Sequence, residues 1–172
     1  SDETDILRSQ NDLTYVDLPT DTQRHGLLQK QTVTYNGQAS ATEFHYTLDN
    51  SALDLQTLQI GFDGARRTSS LRFSAINGLK LSEQNEDEGQ VVFTYDRLGR
   101  LLSETIAPGS DVAATRQTRY LPANGPGSPA KSIITDPNGV QQSISYDGIG
   151  RVIAIEEQDA DQSSPGEFRQ VY

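Results

Sequence analysis

The residues of this 172-residue chain that are of types able to do chemistry are scattered along it. His25 and His45 are the two histidines, and neither stands in a nucleophile elbow, an HExxH helix or a phosphate-cradling loop. His45 falls within the alternating run Phe44-His45-Tyr46-Thr47-Leu48 and reads as a cross-strand partner rather than a base. Asp159-Ala160-Asp161-Gln162-Ser163 begins like a calcium loop, but Gly166 comes two places too late for the sharp turn and Gln170 stands where the bidentate glutamate belongs. Asn85-Glu86-Asp87-Glu88-Gly89 is acidic enough to attract a cation, yet a charge run beside a glycine reads as a loop tip. Tyr35, Tyr46, Phe62, Phe73, Phe93, Tyr95 and Tyr146 could stack on sugars, but there is no Trp and hairpin packing accounts for them. No catalytic, cofactor or metal site is assigned, and the expectation is a protein that is not an enzyme.

The elements that carry these residues follow from composition and rhythm. Hydrophobic residues make up 34% of the chain, which implies thin, one-sided burial, as in a sheet with one wet face. The length suits one domain. A net charge of −10 with no basic cluster speaks against nucleic acid and anionic membrane surfaces as partners. No apolar run approaches the roughly 18 residues of a membrane span, and the polar, acidic start does not read as a signal peptide. Without cysteine the chain forms neither disulfides nor thiolate metal sites. Starting at Ser1, lacking Met and stopping inside the strand-like Phe168-Arg169-Gln170-Val171-Tyr172, it is expected to be a stretch of a longer protein.

Turn signals recur along the chain, among them Asn36-Gly37, Asp63-Gly64, Asn77-Gly78, Gly99, Asn138-Gly139 and Gly150. Between them lie period-two runs such as Leu58-Gln59-Ile60-Gly61-Phe62, Val91-Val92-Phe93-Thr94-Tyr95 and Ser143-Ile144-Ser145-Tyr146, each read as a half-buried strand. In residues 51–60 the apolar pairs Leu53/Leu55 and Leu58/Ile60 are out of phase, which predicts a bulge or a tight turn between them. Residues 1–24, 83–90, 107–114, 121–130 and 156–167 read as loops.

Two segments align without gaps: Tyr95-Asp96-Arg97-Leu98-Gly99-Arg100-Leu101 and Tyr146-Asp147-Gly148-Ile149-Gly150-Arg151-Val152. The tyrosine ends the incoming strand, the aspartate bonds turn N–H groups, the glycine supplies positive φ, and the arginine returns the chain within reach of the aspartate. Phe62-Asp63-Gly64-Ala65-Arg66-Arg67 is a degenerate third copy in which Arg66 replaces the glycine, so its turn is expected to differ.

These copies resemble the YD-repeat family, also called rearrangement-hotspot (Rhs) repeats, of bacterial polymorphic toxins, the B and C components of insecticidal toxin complexes, and animal teneurins. The resemblance implies a secreted or secretion-system-delivered shell, a long β-sheet enclosing or presenting a C-terminal toxin. The chain is therefore expected to be all-β, a large meandering sheet of antiparallel hairpin repeats. Residues 1–57 form hairpins with weak repeat signal and 58–172 form the YD-repeat region. Its expected partners are the adjoining repeats of the same polypeptide and, by the resemblance, an encapsulated toxin; the alternative is a carbohydrate-binding surface module. Shells of this family often end in a DPxGL-like cleavage motif, but in Asp136-Pro137-Asn138-Gly139-Val140 the last position is Val and a complete repeat follows. An ordinary Pro-Asn-Gly turn accounts for those letters.

Overall fold

The structure, a computed structural model, describes residues 9–49, 51–86, 89–158 and 168–171. Among them are thirteen strands and no helix, so the expected all-β meander of antiparallel hairpins is what the chain forms. The chain divides into two units, Ser1–Gln90 and Val91–Tyr172. The first holds β1 (Ser9–Tyr15), β2 (Leu28–Tyr35), β3 (Gln38–Asp49), β4 (Ala52–Ile60), β5 (Arg66–Ser74) and β6 (Lys80–Asn85). The second holds β7 (Gly89–Tyr95, starting just before the division), β8 (Leu101–Ile106), β9 (Ala114–Leu121), β10 (Ala130–Thr135), β11 (Gln141–Tyr146), β12 (Val152–Gln158) and β13 (Arg169–Gln170). Within each unit every strand pairs antiparallel with its neighbour in sequence. Such pairing needs only short loops.

Residues opposite one another in an antiparallel ladder share a face, so the registers sort the side chains. In the first unit, Leu13, Tyr15, Val33, Tyr35, Phe44, Tyr46, Leu55, Leu71 and Phe73 fall on one face. The other carries the ion pairs Lys30–Glu43 (2.9 Å), Arg72–Asp54 (2.9 Å) and Arg72–Asp49 (3.1 Å). In the second unit Val91, Phe93, Tyr95, Ile106, Tyr120, Ile134, Ile144, Tyr146 and Ile155 share a face. Opposite lie the hydroxyl pairs Thr94–Ser103 (2.6 Å) and Thr105–Thr115 (3.0 Å) and the ion pair Lys131–Glu156 (3.4 Å). Each unit thus gathers its aromatic side chains on one face, while the other carries these polar pairs together with a few aliphatic residues such as Leu58 and Ile133. Ala52 is the only buried apolar residue among those described, while Tyr15, Tyr35 and Leu13 stay about half exposed on the first unit's aromatic face.

Three expectations are corrected. No bulge or turn separates Leu53/Leu55 from Leu58/Ile60: β4 runs unbroken in constant register with both β3 and β5. Leu53 and Leu55 point to one face and Leu58 and Ile60 to the other, so the phase break marks a change of face within a regular strand. Residues 1–24 are not all loop, because Ser9–Tyr15 form β1, each residue of it exposed, and held by its ladder to β2 rather than by burial. Strands also extend into the other expected loops, to Asn85 and Gln158 and from Gly89 and Ala114.

Candidate functional site: a recurrent hairpin closure

The two gapless copies occupy equivalent places. Tyr95 and Tyr146 are the last residues of β7 and β11. The Asp96 N–H donates to the Arg100 carbonyl (2.9 Å) and the Gly99 N–H to the Asp96 carbonyl (3.0 Å); the Asp147, Arg151 and Gly150 bonds match at 2.8 and 3.1 Å. Gly99 and Gly150 have φ of 78° and 85°, the left-handed region in which a Cβ is disfavoured. This is a type I turn closed by a left-handed glycine, the usual three-residue hairpin loop.

The aspartate completes the closure. Asp96 Oδ1 accepts the N–H groups of Leu98 (2.8 Å) and Arg100 (2.9 Å), and Oδ2 accepts Arg100 Nε–H (2.7 Å). Asp147 does the same with Ile149 (3.0 Å), Arg151 (2.8 Å) and Arg151 Nε (2.7 Å). The backbone N–H of Arg100, then its guanidinium, holds the Asp96 carboxyl below the usual carboxylate range. The Arg151 backbone and side chain do likewise for Asp147. Arg100 also lies over the Tyr120 ring, 4.3 Å from Cζ to centroid, a cation–π contact with β9.

A second element accompanies both turns. The β7–β8 register slips by one residue at Tyr95, which pairs with Leu101, and the β11–β12 register slips likewise at Tyr146, which pairs with Val152. The extra residue of such a bulge sharpens the local twist. The same slip occurs at Tyr15, which pairs with Leu28, and at Phe73, which pairs with Lys80. There an equivalent pair of backbone bonds closes a longer loop: Val16 N–H to Leu27 carbonyl (2.8 Å) with Gly26 N–H to Val16 carbonyl (2.9 Å), and Ser74 N–H to Leu79 carbonyl (2.8 Å) with Gly78 N–H to Ser74 carbonyl (2.9 Å). In these two closures Val16 and Ser74 stand where the aspartate does, and Leu27 and Leu79 where the arginine does. The legible signal is only an aromatic before the turn and a glycine two residues before the return pairing; a longer loop hides it at Tyr15. Within each unit the bulged closures lie at one edge, and their Tyr and Phe side chains lie on the aromatic face.

The opposite edge uses the turn without the bulge. Asp136 Oδ1 accepts the N–H groups of Asn138 (2.9 Å) and Val140 (2.8 Å), and β10 and β11 stay in constant register, so these letters form a hairpin turn. The degenerate copy is corrected too: its backbone turn is the same, with the frame moved by two residues. Gly61 N–H donates to the Ala65 carbonyl (2.8 Å), Gly64 N–H to the Gly61 carbonyl (2.9 Å), and φ at Gly64 is 82°. Gly64, not Arg66, fills the glycine position. Asp63 bends its carboxylate back over Gly61 to accept the Ala65 N–H (3.0 Å), serving from the third position the N–H that an aspartate serves from the first.

The other candidate residues are dispersed. His45 is exposed on β3, 4.0 Å from Glu43 Oε2. His25 Nδ1 accepts the Leu18 N–H (3.1 Å) in the loop after β1, where Arg24 and Asp21 pair at 2.6 Å. Glu86 accepts the Thr68 N–H (3.2 Å), while Asp87 and Glu88, like residues 159–167, lie outside the described residues. Among the described residues no group of three or more His, Asp or Glu is placed to hold a metal ion. Tyr46 donates to the Leu28 carbonyl (2.9 Å) and Tyr146 shares a hydrogen bond with Ser132 (2.9 Å), so both hydroxyls serve the sheet. No protein-family model matches this chain, and no curated protein matches it in sequence.

Proposed function

We propose that the chain is a structural module of the YD-repeat kind, a wall segment of a toxin-related shell that encloses or presents an effector and performs no chemistry itself. The observation that carries this reading is the recurrence of one bulged closure at Tyr15, Phe73, Tyr95 and Tyr146. A catalytic or ligand-binding protein invests its unusual geometry in one place. Here the unusual geometry recurs in four hairpins, and in two of them the aspartate and arginine are spent on closing the turn. Each unit has an aromatic face left partly open, as suits a layer that packs against further protein. Its partners on this reading are adjoining repeats and the enclosed polypeptide.

Sedimentation velocity and an environment-sensitive apolar dye test the proposal together. A module built to be covered should bind the dye and associate with itself at micromolar concentrations. A monomer that binds no dye would overturn it. The half-exposed rings of Tyr15 and Tyr35 keep a sugar-binding module as the second reading. A saturable hit on a glycan array, abolished by Y15A and Y35A, would favour that reading over the shell.

A further inference from the structure

We propose that Asn36 and Asn124 are sites of spontaneous succinimide formation in the folded chain, while Asn77 and Asn138, in the same Asn-Gly letters, are protected by the turns that hold them. The inference is independent of the module reading.

The chain has four Asn-Gly pairs, at 36–37, 77–78, 124–125 and 138–139. In such a pair the glycine amide nitrogen attacks the carbonyl carbon of the asparagine side chain. The new N–C bond closes the succinimide ring, the bond to the side-chain nitrogen breaks, and ammonia leaves with the amide proton. Water then opens the ring at one carbonyl or the other, giving aspartate or isoaspartate. Glycine favours the attack because no side chain crowds its nitrogen.

Exposure and glycine conformation do not separate the four sites. Every one of these asparagines is exposed, and φ is 77° at Gly37, 70° at Gly78, 85° at Gly125 and 89° at Gly139. What separates them is the hydrogen bonding of the nucleophile. The Gly78 N–H donates to the Ser74 carbonyl (2.9 Å) and the Gly139 N–H to the Asp136 carbonyl (3.0 Å), so attack there must first break a bond that closes the turn. Asn77 is held further, its Oδ1 accepting the Leu79 N–H (3.2 Å). Among the described residues, the N–H groups of Gly37 and Gly125 have no acceptor and the side chains of Asn36 and Asn124 no hydrogen-bond partner. Gly37 is left free because the two-residue turn pairs Tyr35 with Gln38 and keeps both turn residues out of the ladder. At Gly125 the loop closes through Asn124 N–H to the Ser128 carbonyl (3.1 Å) and Ser128 N–H to the Gly125 carbonyl (3.2 Å), neither of which uses the Gly125 N–H.

The two products differ in their effect at Asn36. Aspartate keeps the turn, because Asp-Gly suits it as Asn-Gly does. Isoaspartate adds a backbone carbon to a two-residue turn and disrupts the Tyr35–Gln38 pairing. The longer loop between β9 and β10 absorbs the same change at Asn124.

The test is incubation of the 172-residue chain, folded and unfolded in guanidinium, in the same mildly alkaline buffer, followed by peptide mapping with fragmentation that separates isoaspartate from aspartate. Dividing the folded rate by the unfolded rate at each site removes the influence of neighbouring residue types. The ratio at Asn36 and at Asn124 should exceed that at Asn77 and Asn138 by about 2–10-fold, the factor for breaking one hydrogen bond. A ratio at Asn36 or Asn124 no higher than at Asn77 and Asn138 would overturn the assignment of that site. The isoaspartate form at position 36, isolated by ion exchange, should exchange the Tyr35 and Gln38 amides faster than N36D does. Equal exchange in the two would overturn the effect on the hairpin.

Discussion

Replacing Gly61 tests whether a carboxylate above the turn is what the hairpin closure requires. A Cβ built at Gly61 would lie 2.6 Å from Asp63 Oδ1, with the Ala65 carbonyl at 3.7 Å and no other backbone closer. The backbone therefore tolerates a side chain here, and only the Asp63 carboxylate must leave. In G61A its departure strips the Ala65 N–H of its protein acceptor, a loss of about 0.5–1.5 kcal/mol for one hydrogen bond. Reduced freedom of the unfolded chain returns about 0.4–1 kcal/mol, so G61A should lie within about 1 kcal/mol of the parent. G61D is larger, but it places a carboxylate where Asp96, Asp136 and Asp147 have theirs, able to accept the N–H groups of Asp63 and Ala65. G61D should therefore be more stable than G61A by about 0.5–1.5 kcal/mol, a difference of a few degrees in melting temperature for a chain of this size. The comparison belongs in about 0.15 M salt, which screens repulsion between the introduced carboxylate and that of Asp63. Thermal and urea unfolding of both variants would decide it. If G61A equals or exceeds G61D in stability, the equivalence of the Gly61 and Asp96 positions is wrong.

Other outcomes follow from the same geometry. Ala107 has φ of 48°, so A107G should stabilise the chain by up to about 1 kcal/mol, the left-handed penalty less the entropy of glycine; a lower urea midpoint would count against strain at that residue. Asp96 and Asp147 have carboxyls held below their usual range, so their contribution to stability is complete above the unfolded-state value and lost as pH falls through the lower folded-state value. The urea midpoint should therefore decline on acidification below about pH 4, and D96N/D147N should flatten that decline; an unchanged slope would contradict the assignment. Y46F removes the hydrogen bond to the Leu28 carbonyl and should cost about 0.5–1.5 kcal/mol, with faster amide exchange in β2 as the local readout.

Much of this protein is set within a few residues of chain. Asp96, Gly99 and Arg100 meet one another across a single turn, so their types and spacing determine the closure before any other strand arrives. The same locality makes Asn36-Gly37 a two-residue turn with both φ values positive, 50° and 77°. Alternation likewise places most strands, because the period of two belongs to the strand itself. What only the tertiary structure decides depends on a partner distant in sequence. The exposed β1 is a strand because β2 offers it a ladder, although its own residues carry little apolar signal. Leu58 and Ile60 change face without a bulge because the ladders on both sides of β4 hold the register constant. The closures at Tyr15 and Phe73 lack the aspartate and arginine that mark the others, and their identity lies in backbone bonds and a one-residue slip between strands. A turn is closed by atoms a few bonds apart and can be read from its letters. A register is a choice between neighbouring strands, fixed only when the packing of both settles which residues face each other.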